Sequence, residues 1–182
     1  MTSSPKRIHI IGCGGSGKTT LARKLADVLR ANCYELDHIG YDGHAKRSLE
    51  QRLDSVRQIA PQPSWVSEGG YLWWTDDLLQ NADMVVWLDL PWTLCYRRIV
   101  LRHIRADLAG TNAYPGFLNL LRFASGVRQY CLNPVPAVPA DPNDDATKNR
   151  AAVAQVLRAY SGKTVRCRRP ADVSALLKRL TS

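Results

Sequence analysis

A glycine-rich segment near the amino terminus constrains the fold and the chemistry of this chain more than any other stretch. Residues 6–21 read KRIHIIGCGGSGKTTL, a short apolar strand, a loop and the opening of a helix. The loop matches the phosphate-binding pattern G-x-x-x-x-G-K-[ST], known as Walker A, with Gly12, Gly17, Lys18 and Thr19. Glycines let successive backbone N–H groups turn towards an anion, and the following helix directs its positive dipole end to the same point. The sequence therefore predicts that this loop binds a nucleoside triphosphate.

The residues of the loop have separate predicted roles in holding that ligand. Lys18 reaches the β- and γ-phosphates, and the Thr19 hydroxyl ligates Mg²⁺. The other residues predicted to line the nucleotide are Gly12, Gly14, Gly15, Ser16, Gly17 and Thr20. The alternative is a glycine-rich turn that carries Lys-Thr by coincidence, and the flanking strand and helix disfavour it. The predicted cofactors are ATP and Mg²⁺.

Size, charge and cysteine usage narrow the class of protein. The 182 residues favour a single domain over 1–182. Lysine and arginine (25) exceed aspartate and glutamate (16), and the net charge of +9 suits polyphosphate ligands but would also suit nucleic acid. The five cysteines form no CxxC pair, which argues against a zinc site or a disulfide framework. Without an apolar run of signal-peptide or membrane-spanning type, the sequence predicts a cytoplasmic enzyme with no membrane partner.

Apolar strands alternate with amphipathic helices along the chain, a pattern typical of a parallel sheet covered on both faces. After the loop helix, strands are predicted at 33–36, 64–67, 83–88 and 164–168. Helices are predicted at 48–60, 73–81, 91–107, 117–130, 146–160 and 171–180, with Ser48 as an N-cap. Residues 40–46 are predicted to form a loop, and the Pro-rich acidic stretch 133–145 a surface excursion.

Arginines concentrate on the predicted helix 91–107, which follows the most apolar strand. Arg98, Arg102 and Arg105 lie at offsets of four and seven residues, on one helical face. Because such groups repel one another unless an anion lies between them, Arg98 and Arg102 are predicted to clamp the triphosphate, and Arg105 to contact the acceptor. A solvated helix face is the alternative interpretation.

The order of these elements resembles the nucleoside monophosphate kinase group. The segment RIVLR, Arg98–Arg102, is similar to the R-I-x-x-R segment where adenylate kinases begin their lid. Closer still is the resemblance to the small adenylate-kinase-like proteins often labelled DNA topology modulation proteins, over roughly residues 6–130. The segments that carry it are Leu36-Asp37, SEGGY at 67–71, Ala82-Asp83 and WLDLP at 87–91. The long lid insert and the AMP-binding segment of true adenylate kinases are missing.

This resemblance implies an α/β fold of the P-loop NTPase type, built in three layers. It implies a five-stranded parallel sheet in the order 2-3-1-4-5 with helices on both faces. A short arginine-rich lid is expected at about residues 97–116. The family binds ATP and Mg²⁺, and its phosphoryl acceptor is not well defined.

Three acids follow predicted strands, and ligands in such sheets lie beyond the carboxyl ends of strands. Asp37 is predicted to hold the acceptor hydroxyl, because kinases resembling shikimate kinase use an Asp after the second strand. Asp89, at the end of a buried apolar strand, is predicted to hold Mg²⁺ together with Thr19. The other predicted acceptor contacts are Glu68, Gly69, Gly70 and Tyr71. For each acid, the alternative is a helix cap or a loop residue.

Aromatic and basic residues elsewhere allow two readings. Tyr71, Trp73 and Trp74 are predicted either to line an acceptor pocket or to pack inside the core. Arg169, after the last strand, is predicted to stack on the nucleotide base, and a nucleic-acid footprint of the basic tail is less favoured.

Taken together, the sequence predicts an ATP- and Mg²⁺-dependent phosphotransferase. Its partners would be a nucleoside triphosphate and a small hydroxyl- or phosphate-bearing acceptor, nucleotide-like or shikimate-like. Two alternatives stay open: an ATP-binding regulator of DNA or of a partner protein with weak ATPase activity, and a kinase acting on a nucleic-acid 5′ end. The oligomeric state is left open.

Overall fold

Strands and helices alternate along the chain in the computed structural model, which describes residues 4–43, 45–139, 141, 143–144 and 148–181. The first half contains β1 (Arg7–Gly12), α1 (Lys18–Leu29), β2 (Asn32–Glu35), α2 (Leu36–Gly40), β3 (Tyr41–Asp42), β4 (Ala45–Lys46), α3 (Leu49–Ile59), β5 (Trp65–Gly69) and α4 (Asp76–Asn81). The second half contains β6 (Met84–Leu88), α5 (Trp92–Leu108), α6 (Phe117–Leu132), α7 (Arg150–Leu157), a 3-10 helix (Arg158–Lys163), β7 (Thr164–Cys167) and α8 (Pro170–Thr181). None of the helices in these ranges is long and apolar enough to cross a bilayer.

Five parallel strands form one sheet in the order β2-β5-β1-β6-β7. Counted along the chain, this is the predicted order 2-3-1-4-5, so the predicted topology is confirmed. The central strand β1 lies between β5 and β6, and Ile10 is in register with Glu68 on one side and Val86 on the other. The carboxyl ends of these three strands therefore meet at one edge of the sheet, where the phosphate loop begins.

Helices cover both faces of the sheet, as the alternation predicts. On one face, α1 and α8 pack with Ile8, Ile10, Val66 and Val86. On the other face, α3, α4 and α7 pack around Ile11, Trp65, Val85 and Trp87. A third apolar cluster joins the phosphate loop to the paired helices α5 and α6, and it includes Cys13, Cys95, Ile99 and Leu120. The α5–α6 pair therefore packs against the phosphate loop through apolar side chains.

Local signals placed most elements correctly but missed several boundaries. The predicted capping residue Ser48 accepts a hydrogen bond from the Gln51 N–H, and the Gln51 side chain accepts one from the Ser48 N–H. The prediction of a loop at 40–46 is wrong, because β3 and β4 form a short antiparallel hairpin there.

The strand predicted at 33–36 ends one residue early, because Leu36 is fully buried and begins α2. The helix predicted at 73–81 begins only at Asp76. The helix predicted at 146–160 is α-helical only from Arg150 to Leu157, and residues 146–147 lie outside the described ranges. In the excursion predicted at 133–145, residues 133–139, 141 and 143–144 contain neither helix nor strand.

Candidate active site

The phosphate loop turns on two glycines and is braced by one carbonyl. Gly15 and Gly17 have φ values of 77° and 95°, a left-handed conformation that favours glycine. The Cys13 carbonyl accepts hydrogen bonds from the Ser16 N–H at 3.3 Å, from the Ser16 hydroxyl at 2.8 Å and from the Lys18 ammonium at 3.3 Å. The loop is therefore held open around backbone N–H groups at the start of α1, the arrangement that a polyphosphate requires.

Glu68 is the acid that meets the phosphate loop. The Thr19 hydroxyl donates to Glu68 Oε1 at 2.6 Å, and Lys18 Nζ lies 3.9 Å from Glu68 Oε2. Burial raises the pKa of the Glu68 carboxyl, while Lys18 and the Thr19 hydroxyl act to lower it. Glu68 reaches this position because β5 is hydrogen-bonded directly to β1.

Asp89 does not meet Thr19, contrary to the predicted magnesium pair. Its buried carboxylate is 2.6 Å from Arg150 Nε and 2.6 Å from Arg166 Nη2, and these two guanidinium groups occupy both carboxylate oxygens. Arg166 lies on β7, next to β6, and its guanidinium carbon is 4.2 Å from the Trp87 ring centroid. The placement favours a structural ion-pair network for Asp89 over metal binding.

Asp37 lies at the predicted acceptor side, exposed in the first turn of α2. The Tyr71 hydroxyl donates to Asp37 Oδ1 at 2.7 Å. Lys148 Nζ lies 4.0 Å from the Tyr71 ring centroid. It also lies 3.7 Å from where a Cβ on Gly70 would be, and that Cβ would be 3.4 Å from the Gly12 carbonyl. A carboxylate, a phenol and an ammonium group therefore adjoin the phosphate loop.

Most of the glycine and aromatic residues next to this site pack in the protein core. A Cβ on Gly69 would lie 2.9 Å from Leu36 Cβ, so this glycine allows β5 to pack against α2. Trp74 is 1% exposed and its ring centroid is 4.9 Å from that of Tyr71, and Trp73 is partly buried against the same core. Of the predicted aromatic wall, the Tyr71 hydroxyl is the part that reaches the site.

Arg98 joins α5 to the phosphate loop. Its Nη1 donates to the Ser16 carbonyl at 2.8 Å, beside Gly17. Arg98, Arg102 and Arg105 line one open cavity of about 490 Å³, which places them on the same face of α5. Arg102 also lies over Phe123 of α6, with its guanidinium carbon 5.9 Å from the ring centroid. Three arginines therefore line this cavity, and Arg98 among them is also bonded to the phosphate loop.

The Arg169 side chain is mostly exposed to solvent and makes a long contact to an acid. Its side chain is 79% exposed, and its Nη2 is 3.5 Å from Asp172 Oδ1 at the start of α8. The structure brings it to the turn after β7, where the sequence predicted it, with the guanidinium facing solvent.

The residues of the loop fit a magnesium nucleotide. The Thr19 hydroxyl and a Glu68 oxygen form a pair of hard oxygen donors 2.6 Å apart, next to Lys18. Within the described part of the chain, no group of three or more His, Cys, Asp or Glu side chains could hold a metal ion. Mg²⁺ commonly keeps several water and phosphate ligands, so a hydroxyl with a carboxylate beside it to accept from those waters suits that ion.

Sequence reasoning missed three cations that shape this region: Lys148, Arg150 and Arg166. Arg166 alternates with apolar residues on β7, and that period-two pattern could have placed it on the sheet face next to β6. Lys148 and Arg150 follow a Pro-rich, acidic stretch of sequence, and no local pattern indicates where they lie.

Comparison with known proteins bears on the fold. No family model matches the chain, and no curated protein matches it. Among solved structures, shikimate kinase from Bacteroides thetaiotaomicron matches with a TM-score of 0.50 at 14% identity, over 97% of this chain and 96% of that one. A gluconokinase from Sinorhizobium meliloti matches with a TM-score of 0.46 at 16% identity, over 97% and 96%. A sugar kinase from a Janibacter species matches with a TM-score of 0.47 at 17% identity, over 96% and 91%.

The fold follows from the first of these likenesses and from the order of the strands in the sheet. The resemblance to DNA topology modulation proteins is not shown by these matches and stays a prediction from the sequence. The chain has the α/β fold of the P-loop kinases, with a five-stranded parallel sheet between helices on both faces.

Proposed function

We propose that the chain is an ATP- and Mg²⁺-dependent phosphotransferase acting on a small acceptor that carries a hydroxyl or a phosphate. The observation that carries this proposal is the 2.6 Å hydrogen bond from Thr19 to Glu68 next to Lys18. It gives the phosphate motif an acidic partner, which a simple anion-binding turn would not need. The Asp37–Tyr71 pair beside the loop supplies a second polar subsite for an acceptor.

The nucleotide side follows from the loop. The N–H groups between Gly12 and Thr19 and the Lys18 ammonium bind the β- and γ-phosphates. Thr19 would hold Mg²⁺ directly, with Glu68 accepting from the ion's water ligands. When bound, the metal would neutralise charge on the phosphate oxygens. We assign this acidic role to Glu68 rather than Asp89, because Arg150 and Arg166 already neutralise Asp89.

The arginines of α5 would stabilise the phosphoryl group during its transfer. Arg98 lies one hydrogen bond from the Ser16 carbonyl, so rotation of its side chain would move the guanidinium to the transferring phosphoryl group. Arg102 follows one turn later on the same face. Arg105 towards the acceptor and Arg169 towards the base keep their predicted roles as proposals.

The acceptor side follows from Asp37. Its carboxylate accepts from Tyr71, which fixes the carboxylate's orientation and leaves an oxygen exposed to accept the acceptor's hydroxyl proton. Lys148 adds a positive charge on the same side, which favours acceptors that also carry an anionic group. Nucleotide-like and shikimate-like hydroxyl compounds share that chemistry.

A coupled assay of ADP release tests the proposal. Pools of nucleosides, nucleotides, sugars and hydroxy acids are offered with Mg-ATP, and at least one pool is expected to raise ADP release above the ATPase background. Asp37→Asn is expected to remove this acceptor-dependent rate while leaving the affinity for Mg-ATP unchanged. Asp54→Asn, at an exposed acid of α3, serves as the matched control.

The assay also separates the alternatives. Phosphorylation of an oligonucleotide 5′-hydroxyl in place of every small-molecule pool would favour the polynucleotide kinase reading. Nucleotide binding with no acceptor-stimulated turnover in any pool would favour an ATP-binding regulator.

A further inference from the structure

Three buried thiols meet at the base of the phosphate loop. Cys13 Sγ donates to Cys95 Sγ at 3.5 Å, and Cys131 Sγ donates to Cys13 Sγ at 3.8 Å. Cys13 belongs to the loop, Cys95 to the first turn of α5, and Cys131 to the last turn of α6. All three are free thiols. The proposed transfer of phosphate uses none of them.

The phosphate loop and α5 are in direct contact at the same place. A Cβ on Gly15 would be 2.6 Å from the Cys95 carbonyl, so the loop lies directly against α5. The Arg98–Ser16 hydrogen bond is a second link. The Cys13 carbonyl, in turn, accepts from Lys18 Nζ and from the Ser16 hydroxyl. A displacement of Cys13 would therefore be passed to the lysine that binds phosphate.

We propose that Cys13 and Cys95 are an oxidation site, whose disulfide ties the phosphate loop to α5 and weakens nucleotide binding. The effect on nucleotide rests on the proposed function, whereas the disulfide rests on the thiol geometry alone.

Cys95 makes the shorter of the two thiol contacts of Cys13, and its environment activates it for oxidation. It lies near the positive end of the α5 dipole, and the hydrogen bond from Cys13 lowers the pKa of its thiol, with Arg98 and Lys18 acting in the same direction. Burial opposes that effect. Hydrogen bonds with Cys131 and Cys95, together with burial, raise the pKa of the Cys13 thiol, which therefore keeps its proton.

Hydrogen peroxide would supply the oxidising equivalents. The Cys95 thiol loses its proton, its thiolate attacks one peroxide oxygen, and the O–O bond breaks to give a sulfenic acid and hydroxide, which takes up that proton to form the first water. The Cys13 sulfur then attacks the Cys95 sulfur, the S–S bond forms, the S–O bond breaks, and the displaced hydroxyl leaves as water with the Cys13 proton. Two thiols are oxidised and one peroxide is reduced to two waters.

Closing this bond changes the loop because the sulfurs must approach. A disulfide has an S–S distance of about 2.05 Å, against the present separation of 3.5 Å. Closing this gap requires Cys13 and Cys95 to approach each other, and any shift of the Cys13 backbone would displace the carbonyl that accepts from Lys18. Because both thiols are buried, we expect slow oxidation that is slower still when nucleotide holds the loop closed.

The test maps the thiols and measures nucleotide binding on the same samples. Wild-type protein is oxidised with hydrogen peroxide, the remaining thiols are alkylated, and disulfides are located by peptide mass spectrometry. Calorimetry with Mg-ATP follows before oxidation, after it, and after reduction with dithiothreitol. The expected result is a Cys13–Cys95 disulfide with at least a tenfold loss of affinity that dithiothreitol reverses.

Matched variants make the result specific. Cys33→Ser, at a half-buried cysteine of β2, is expected to behave like the wild type, and Cys131→Ser is expected to form the same disulfide. Cys95→Ser is expected to keep its nucleotide affinity after peroxide treatment.

Three results would overturn the inference: free thiols at Cys13 and Cys95 after oxidation, a Cys13–Cys131 disulfide in their place, or unchanged affinity once the Cys13–Cys95 bond has formed. A different result would contradict the proposed function but not the oxidation site: wild-type protein that binds no nucleotide when reduced, yet forms the Cys13–Cys95 disulfide when oxidised.

Discussion

The Thr19 hydroxyl donates to the Glu68 carboxylate across 2.6 Å, which joins the last residue of the phosphate motif to the end of β5. Asp89 directly follows β6, on the other side of β1, and there two arginines hold it. Both acids lie at the carboxyl ends of strands that flank β1, yet one meets the loop hydroxyl and the other a pair of guanidinium groups. We therefore expect neutralisation of Glu68 to affect the use of magnesium and neutralisation of Asp89 to affect stability.

Neutralising Glu68 should impair the use of magnesium. Glu68→Gln is expected to lower Mg²⁺-dependent turnover by about tenfold or more, because an amide no longer attracts the ion's water ligands. Turnover and Mg-ATP affinity measured over a magnesium titration check this, with Glu35→Gln at the exposed Arg23–Glu35 pair as control. Wild-type magnesium dependence in Glu68→Gln would move the metal site elsewhere.

Neutralising Asp89 should instead reduce stability. Asp89→Asn leaves Arg150 and Arg166 without their carboxylate, and both are partly exposed, so the expected loss in the free energy of unfolding is about 2 kcal/mol. Urea unfolding measures it. If Asp89→Asn unfolds like the wild type but loses its magnesium dependence, the original sequence prediction would be right and the network reading wrong.

Removing Arg98 should slow chemistry more than binding. Arg98→Ala is expected to lower kcat by about 100-fold, since a guanidinium that stabilises charge in the transition state contributes little to ground-state affinity. Arg97→Ala, at the exposed neighbouring position, is the matched control. Steady-state kinetics separates kcat from KM, and an unchanged kcat in Arg98→Ala would remove this arginine from the transfer step.

A buried histidine should make the protein sensitive to acid. His9 is fully buried on β1, its Nδ1 is 2.8 Å from the Ser67 hydroxyl, and burial lowers its pKa from 6.5 to about 4. The unfolded chain therefore binds the proton more readily, so stability is fully present above pH 6.5 and falls as the pH drops towards 4. The loss from this residue amounts to about 3 kcal/mol.

Urea unfolding at pH 7, 6, 5 and 4.5 checks this dependence. His9→Gln is expected to have a shallower decline over that interval than the wild type, and His38→Gln, at an exposed histidine of α2, an unchanged one. Equal pH slopes in wild type and His9→Gln would show that other groups control acid unfolding.

Local sequence patterns were sufficient to predict the phosphate loop, the alternation of strands and helices, and the arginine face of α5. These features are local: motif spacing, helical periodicity and apolar runs are each contained within about twenty consecutive residues. Their positions in the structure follow the sequence closely, apart from the hairpin at 40–46 and the shortened helices.

Long-range packing, in contrast, sets which acid meets Thr19 and which cations surround the site. Glu68 lies near the end of β5 and Asp89 directly follows β6, and local sequence does not show which of them lies beside Thr19, since the order of strands in a sheet is set by long-range packing. Lys148, Cys95 and Cys131 likewise reach the loop from distant parts of the chain. The motif specifies the phosphate loop, whereas the fold determines which side chains surround that loop.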